Sequence, residues 1–425
     1  MDKKDYKIYI IGAGLSGLIA ARVLEDHGYY PEIFESGDEV GGRIRTDDVE
    51  GFRLDRGFQV LLSEYPKVKQ YLDLESLDVV DLLPGAVIFK DSKLSRLGDP
   101  TREPSLLLSS ILSNVASISD KYRIFRLYLD LKNKSLKEIF EEKESTTLEY
   151  LKEKGFTEKV IANFFRPFFS GIFLEPDLKT SSRMFCFVFK MFGEGKALIP
   201  RKGMGEISKY LAAKLKNTKI HFNCPVKEVT DSQIILENEE KVSSHFTIIA
   251  TEAAPLISNL RNQQISWKSC HCFYFTTKTK RFEGRIIGLI ADDSALINNI
   301  FYHSSLEEEP VEGDLISVTI VKPTELNKNE LELRVRQELK KLCGIEVDKL
   351  LKHYKIPKAL PDIRQLQYEI MPTETRLNNR IFLAGDQLLN GSQNAAMLSG
   401  ERAALGLIGV LEGGAVTAEI TSEYL

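Results

Sequence analysis

Three features of this sequence predict an α/β fold of the Rossmann type with an attached α+β region. A β-branched run, Lys7-Ile-Tyr-Ile-Ile11, leads directly into Gly12-Ala-Gly14-Leu-Ser-Gly17 and then into a helical pattern. The next strand, Glu32-Ile-Phe-Glu35, ends on a carboxylate about 20 residues past the glycines. A second strand–turn–helix closes the chain, where Asn379-Arg-Ile-Phe-Leu-Ala384-Gly385-Asp386 is followed by Asn390-Gly-Ser392 and a helix running through Ala404.

Each element of the N-terminal unit has a physical reason. The helical pattern from Leu15 to His27 stops at Gly28, a residue suited to the left-handed turn that ends helices. Gly12 permits the tight strand-to-helix turn, Gly14 lets a pyrophosphate approach the backbone, and Gly17 lets the helix lie close on the sheet. Unpaired N–H groups at the helix start, around Leu15 and Ser16, offer positive potential to phosphates. Glu35, with Ser36 beside it, is placed to accept hydrogen bonds from ribose hydroxyls.

The following segment narrows the ligand. Glu35-Ser-Gly-Asp-Glu-Val-Gly41-Gly42-Arg43 sets paired glycines and an arginine after the ribose carboxylate, and Arg43 can neutralise a pyrophosphate. Asp55-Arg56-Gly57-Phe58 follows, and a glycine there lets the backbone lie against a flat ring. With these motifs the chain resembles the flavin amine oxidase, protoporphyrinogen oxidase and phytoene desaturase superfamily, whose members carry GxGxxG, then an acidic residue with GGR, then DxG. The resemblance implies FAD as cofactor.

It also implies roles further along. Asp386, after Gly385, would contact the ribityl or pyrophosphate region. Ser392 or Asn390 would cap a helix whose start, with Gln393, Asn394 and Ala395, faces the flavin N1–C2=O edge, where a helix dipole favours the negative charge of a reduced flavin. Pro200-Arg-Lys-Gly203-Met204-Gly205 matches the family's glycine–methionine turn, although Lys202 stands where the family often has glycine. The helix after it is expected over Glu206–Leu215, and the backbone of Val226 would meet the adenine. Phe246-Thr-Ile-Ile-Ala250 reads as a buried strand returning to the cofactor. Motifs at the start, middle and end imply a discontinuous FAD-binding domain made of residues 1–90, 196–260 and 362–425.

The remainder is read as substrate-facing. Residues 91–195 are expected to be helical, and Pro104–Ile118 places Leu108, Ile111, Leu112 and Val115 on one stripe. That stripe has no basic residues on its polar face, which favours a core or lid helix over a membrane helix. Ten of the chain's 23 phenylalanines lie between Phe156 and Phe192, and such a cluster builds either a packed helix interface or an apolar cavity. Residues 261–361 read as strand-rich: His271–Phe275, Arg285–Ile290, Ile300–Tyr302 and Leu315–Val321 are expected strands, with a helix over Glu330–Leu342.

Composition bounds the rest. A 425-residue chain exceeds one small core, and a formal net charge of −4 without basic runs argues against nucleic acid as a partner. Five cysteines, with no CxxC, suggest free thiols in a reducing compartment. Cys270 and Cys272 flank His271, but alternate strand residues face opposite ways, so the three do not converge on a metal. No transmembrane run or signal peptide is read, so the expected address is cytoplasmic, with peripheral membrane contact left open.

No nucleophile elbow, metal spacing or paired carboxylates stand out, and a second GxGxxG is absent. The cofactor would therefore carry the chemistry, moving a hydride equivalent from substrate C–H to flavin N5, with oxygen or a quinone as electron acceptor. A hydrophobic substrate, isoprenoid, carotenoid or porphyrinogen-like, is the leading expectation. Amine or amino-acid oxidation is the alternative, and a non-catalytic or regulatory flavin protein the alternative of another class. Arg56, Phe58 and Gln59 are the expected flavin-face residues, no catalytic base is assigned, and Lys322 has no motif to support it as the lysine found near N5 in amine oxidases.

Overall fold

A computed structural model describes residues 1–98, 115–307 and 313–413. Ile8–Ile11 forms the centre of a five-stranded parallel sheet whose order is Lys219–His221, Glu32–Phe34, Ile8–Ile11, Phe246–Ile249 and Ile381–Leu383. Three separated stretches of chain thus meet in one sheet. The fully buried IYII run is what a strand covered on both faces requires.

One face of this sheet carries the helices Leu15–Asp26 and Gln393–Glu412, which share a core through Leu18, Ile19, Met397 and Ala404. Their closeness depends on Gly400, where an added Cβ would lie 2.1 Å from the carbonyl oxygen of Ser16. The opposite face is covered by an antiparallel three-stranded sheet, Val226–Val229, Gln233–Leu236 and Lys241–Ser243, with Val229, Ile234 and Leu236 packed on Tyr9, Ile11 and Ile249.

A second, seven-stranded sheet has the order Val347–Pro361, Trp267–Thr277, Asp314–Ile320, Ile297–Tyr302, Ile287–Ile290, Gly85–Lys90 and Lys93–Gly98. The helix Lys328–Glu338 closes one face through Leu331, Val335 and the adjoining Leu339. Helices Arg166–Phe173 and Ser182–Glu194 belong to the helical region that follows.

Two expectations need correction, and one strand lacks a sequence counterpart. Gly85–Lys90, assigned with residues 1–90 to the cofactor segment, pairs in parallel with Ile287–Ile290 and belongs to the seven-stranded sheet. Residues 91–195 do not begin as helix, because Lys93–Gly98 completes a hairpin with that strand. The strand Val347–Pro361 was not foreseen: it is an edge strand rich in lysine, with Pro357 and register shifts along it, features that keep edges from templating further strands and hide the period-2 pattern. The expected helix at Pro104–Ile118 lies almost wholly outside the described residues. The helix expected over Glu206–Leu215 runs from Gly205 to Ala213.

Candidate cofactor site and adjoining cavity

The glycine turn is shaped by contacts that only glycine permits. At Gly17 an added Cβ would lie 2.0 Å from the carbonyl oxygen of Gly12, whereas one at Gly14 would meet nothing within 4 Å among the described residues. Gly17 therefore seats the helix and does not border the cavity, while Gly12, Gly14, Leu15 and Ser16 do. Gly42, with φ of +57°, faces the Gly14 Cα, and Gly41 donates its N–H to the Ala13 carbonyl at 2.9 Å. The two glycine motifs form one wall.

Glu35 ties that wall together. Its buried carboxylate accepts from Ala13 N at 2.7 Å and Gly37 N at 2.8 Å, with Ser36 Oγ at 3.4 Å. A carboxylate offers about four acceptor positions, so these bonds leave capacity on a side chain that borders the cavity. Ser36 and Val226 border it too.

Arg43 and Asp386 are not two independent contacts, as the sequence suggested, but one ion pair. Arg43 Nη1 donates to Asp386 Oδ2 at 3.0 Å and Nη2 donates to Oδ1, while the guanidinium lies 5.2 Å from the centre of the Trp267 ring. Burial opposes the arginine's charge, but Asp386 more than compensates and raises its pKa.

The DxG segment divides its labour in a way the sequence did not show. The Asp55 carboxylate is buried and accepts from Met204 N at 2.8 Å and Thr46 Oγ1 at 2.5 Å, so it fastens the Gly203–Gly205 turn. Burial pushes its pKa up to about 6, against the lowering effect of those two bonds. Gly57, Arg56, Phe58 and Gln59 border the cavity. Arg56 nonetheless commits its guanidinium to Asp47 at 2.9 Å, Gln59 Nε2 donates to the Arg43 carbonyl at 3.1 Å, and Phe58 packs 5.0 Å from Phe301.

At the far end Ser392 caps the Gln393–Glu412 helix by accepting from Ala395 N at 3.0 Å, and it donates to Asn390 Oδ1 at 2.7 Å. Gly385, Asp386, Ser392 and Gln393 border the cavity. Asn394 and Ala395 do not. Asn394 is fully buried, accepting from Lys67 N at 3.0 Å and lying 3.4 Å from Tyr368 OH, and Ala395 packs on Ile370 and Leu389. Residues one and two positions past Gln393 are carried by the helix period to its protein-facing side. A buried network, Lys67–Glu401–Arg402–Glu369 with contacts of 2.8–3.1 Å, anchors that helix. Removing one partner would leave an unpaired buried charge.

The cavity is about 2140 Å³ in volume and runs from the glycine turn to the phenylalanine-rich helices. Single-ligand pockets span roughly 300–1,000 Å³, so this one has room for a dinucleotide and a second molecule. The phenylalanine cluster serves both purposes left open by the sequence. Phe165, Phe185 and Phe187 are fully buried in the core, whereas half-buried Phe164, Phe168, Phe189 and Phe192 form cavity wall.

Several wall residues carried no sequence signal. Trp267, Lys268 and Cys270 come from one strand of the large sheet, and Tyr354 and Ile356 from its lysine-rich edge. Lys268 Nζ donates to Thr180 Oγ1 at 3.1 Å and lies 3.8 Å from Asp362. Burial lowers its pKa, opposed by Glu175 and Asp362. Lys322 is elsewhere, donating to the carbonyls of Asp293 and Ala295. His271 meets His353 at 2.9 Å, and no group of three or more His, Cys, Asp or Glu suited to a metal occurs among the described residues.

These groups fit FAD. Gly14 opens onto free space, Glu35 has spare acceptor capacity, and two helix starts border one cavity. Gln393 Oε1 is buried there without a hydrogen-bond partner among the described residues, a polar group that asks for a ligand.

Comparison with known proteins agrees. The family described as flavin containing amine oxidoreductase matches residues 15–408. Protoporphyrinogen oxidase 2 of Arabidopsis thaliana is 28% identical over 165 residues, covering 39% of this chain and 32% of that protein. A 4,4'-diapolycopen-4-al dehydrogenase of Metabacillus indicus is 41% identical over 56 residues, 13% of this chain and 11% of that one. The alignment thus spans about a third of the length of the first of these relatives and less of the second. A putrescine oxidase structure with bound putrescine superposes with a TM-score of 0.69 at 16% identity, covering 95% of this chain and 99% of that one. At that identity the likeness speaks for the fold.

Proposed function

The chain belongs to the flavin containing amine oxidoreductase family, with FAD as its cofactor, and on that premise we propose that it takes a hydride equivalent from an apolar substrate of isoprenoid, carotenoid or porphyrinogen type. The observation that carries this reading is the wall formed by Phe164, Phe168, Phe189 and Phe192, which extends the cofactor cavity into apolar surroundings. When bound, FAD would supply the hydride acceptor, with oxygen or a quinone as the class of electron acceptor.

The chain's own residues bind, orient and exclude water. Glu35 and Ser36 would hold the adenosine ribose, the Gly12–Gly14 turn and the helix start at Leu15 the pyrophosphate, and Val226 the adenine edge. Arg43 and Asp386 would act as a neutral pair beside the phosphates. The Gly57–Gln59 backbone and the capped start of the Gln393–Glu412 helix would border the flavin, where the helix dipole favours added negative charge. The phenylalanine wall would lower the local dielectric and keep water from the reacting carbon.

Amine or amino-acid oxidation is the second reading, supported by Lys268. It is a partly desolvated lysine in the cavity wall, beside Trp267. Anaerobic mixing of the flavoprotein with a polyene, a porphyrinogen, putrescine and an L-amino acid separates the two. Bleaching of the flavin band by the polyene or porphyrinogen alone is expected, and bleaching by the amines alone would overturn the apolar reading. Reoxidation in air-saturated buffer then assigns the acceptor, fast for oxygen and slow for a quinone-type carrier.

A further inference from the structure

The helix Ile118–Lys132 bears an exposed apolar stripe that nothing in the described residues covers. Ile118 is 86% exposed, Tyr122 62%, Phe125 50% and Leu129 40%. Their spacing, four then three then four residues, keeps them on one narrow line of the helix surface. The helix itself is firmly seated. Leu127 and Leu131 are buried beneath it, Ser117 and Asp120 form a capping box, and Asp120 also accepts from Thr157 N at 3.0 Å. Other exposed large apolar residues, such as Phe222 and Met371, are scattered singly, which is ordinary for a protein surface.

The charges beside the stripe are basic. On the helical period Lys121 and Lys132 flank one side and Arg126 the other, with Asp130 the acidic residue on the exposed surface. A chain of net charge −4 therefore concentrates positive charge where its apolar stripe emerges. A central apolar line with tyrosine and phenylalanine, bordered by lysine and arginine, is the pattern of a helix lying in a bilayer interface. The same helix borders the cavity through Ile124, Phe125 and Tyr128, so the stripe adjoins the cavity rim.

We propose that the Ile118–Lys132 helix docks the protein flat on an anionic lipid bilayer, with the stripe at the acyl boundary and the exposed Arg126 and Lys132 among the headgroups. The cavity rim then faces the lipid, and an apolar substrate passes between bilayer and cavity without crossing water. That last clause rests on the apolar reading above; the docking itself does not.

The test uses the FAD-loaded full chain and vesicles of phosphatidylcholine with or without phosphatidylglycerol, read by co-sedimentation without substrate. Two double variants avoid cavity residues: Tyr122→Asp with Leu129→Asp, and Arg126→Glu with Lys132→Glu. Wild type should bind phosphatidylglycerol vesicles, and each double variant should bind at least about tenfold more weakly while keeping its flavin content and melting temperature. Absence of vesicle binding, binding undiminished in the Tyr122/Leu129 variant, or equal binding to both vesicle types would overturn the proposal. So would a wild-type dimer that this variant converts to monomer, because a second copy would then occupy the stripe. Vesicle binding without bleaching by any apolar substrate would keep the docking and overturn the substrate reading instead.

Discussion

Alanine at Glu35 should produce two separable losses. The carboxylate holds Ala13 N at 2.7 Å and Gly37 N at 2.8 Å, one in the glycine turn and one on the path to Gly41 and Gly42. A hydrogen bond to a charged group contributes about 1.5–3 kcal/mol, and a buried N–H left without a partner costs about 1–3 kcal/mol. The flavin-free protein should therefore lose roughly 2–4 kcal/mol of stability, seen in urea or thermal unfolding. Separately, losing one ribose hydrogen bond should weaken FAD roughly ten- to hundredfold. Titration of flavin-free protein with FAD, followed by flavin fluorescence, gives that number. Glu35→Gln keeps an acceptor oxygen and should fall between wild type and alanine in both assays. An alanine variant with unchanged FAD affinity refutes the ribose assignment, and one with unchanged stability when flavin-free refutes the turn-bracing role.

Gly17→Ala should fail to give soluble protein, or lose more than about 3 kcal/mol, because its Cβ would sit 2.0 Å from a backbone oxygen that cannot move without breaking the turn; a soluble variant of wild-type melting temperature would contradict the packing. Phe185→Ala, in the core, should cost about 3–5 kcal/mol of stability, whereas Phe168→Ala, in the cavity wall, should cost less and raise KM for the apolar substrate. Equal destabilisation by the two would erase the division between core and wall. Asp55 makes stability depend on pH in a defined direction. Its folded pKa, about 6, lies above its ordinary value of 3.8, so between those values the folded state holds more of its proton, and this group's contribution falls as pH rises. Comparing Asp55→Asn with wild type, the stability difference should shift in the variant's favour by up to about 3 kcal/mol from pH 4 to pH 7; a constant difference would count against it.

Much of the cofactor half was legible because its constraints are local. Gly12, Gly14 and Gly17 act within one turn, and the Ser392 cap acts across three residues, so spacing alone announces them. Asn394 and Ala395 show the limit even there. Adjacent to Gln393, which borders the cavity, they turn inward because helix rotation, and not proximity in sequence, selects what faces a cavity. The strand Val347–Pro361 was illegible for another reason. An edge strand satisfies solvent on one side, so lysines, a proline and bulges are tolerated and the alternation that identifies strands is lost.

Taken alone, the sequence determined that the chain builds a parallel α/β core around a dinucleotide turn, since glycine geometry, β-branched runs and helix stops are properties of neighbouring residues. Tertiary structure decided what depends on long-range apposition. It made Arg43 and Asp386 a single ion pair across 343 residues and made Asp55, read in sequence only as the start of the DxG motif, a buried brace. It also divided the phenylalanines between core and wall, and left Ile118, Tyr122, Phe125 and Leu129 outside. A side chain's burial and partners are set by what the rest of the chain brings against it, and no local pattern contains that information.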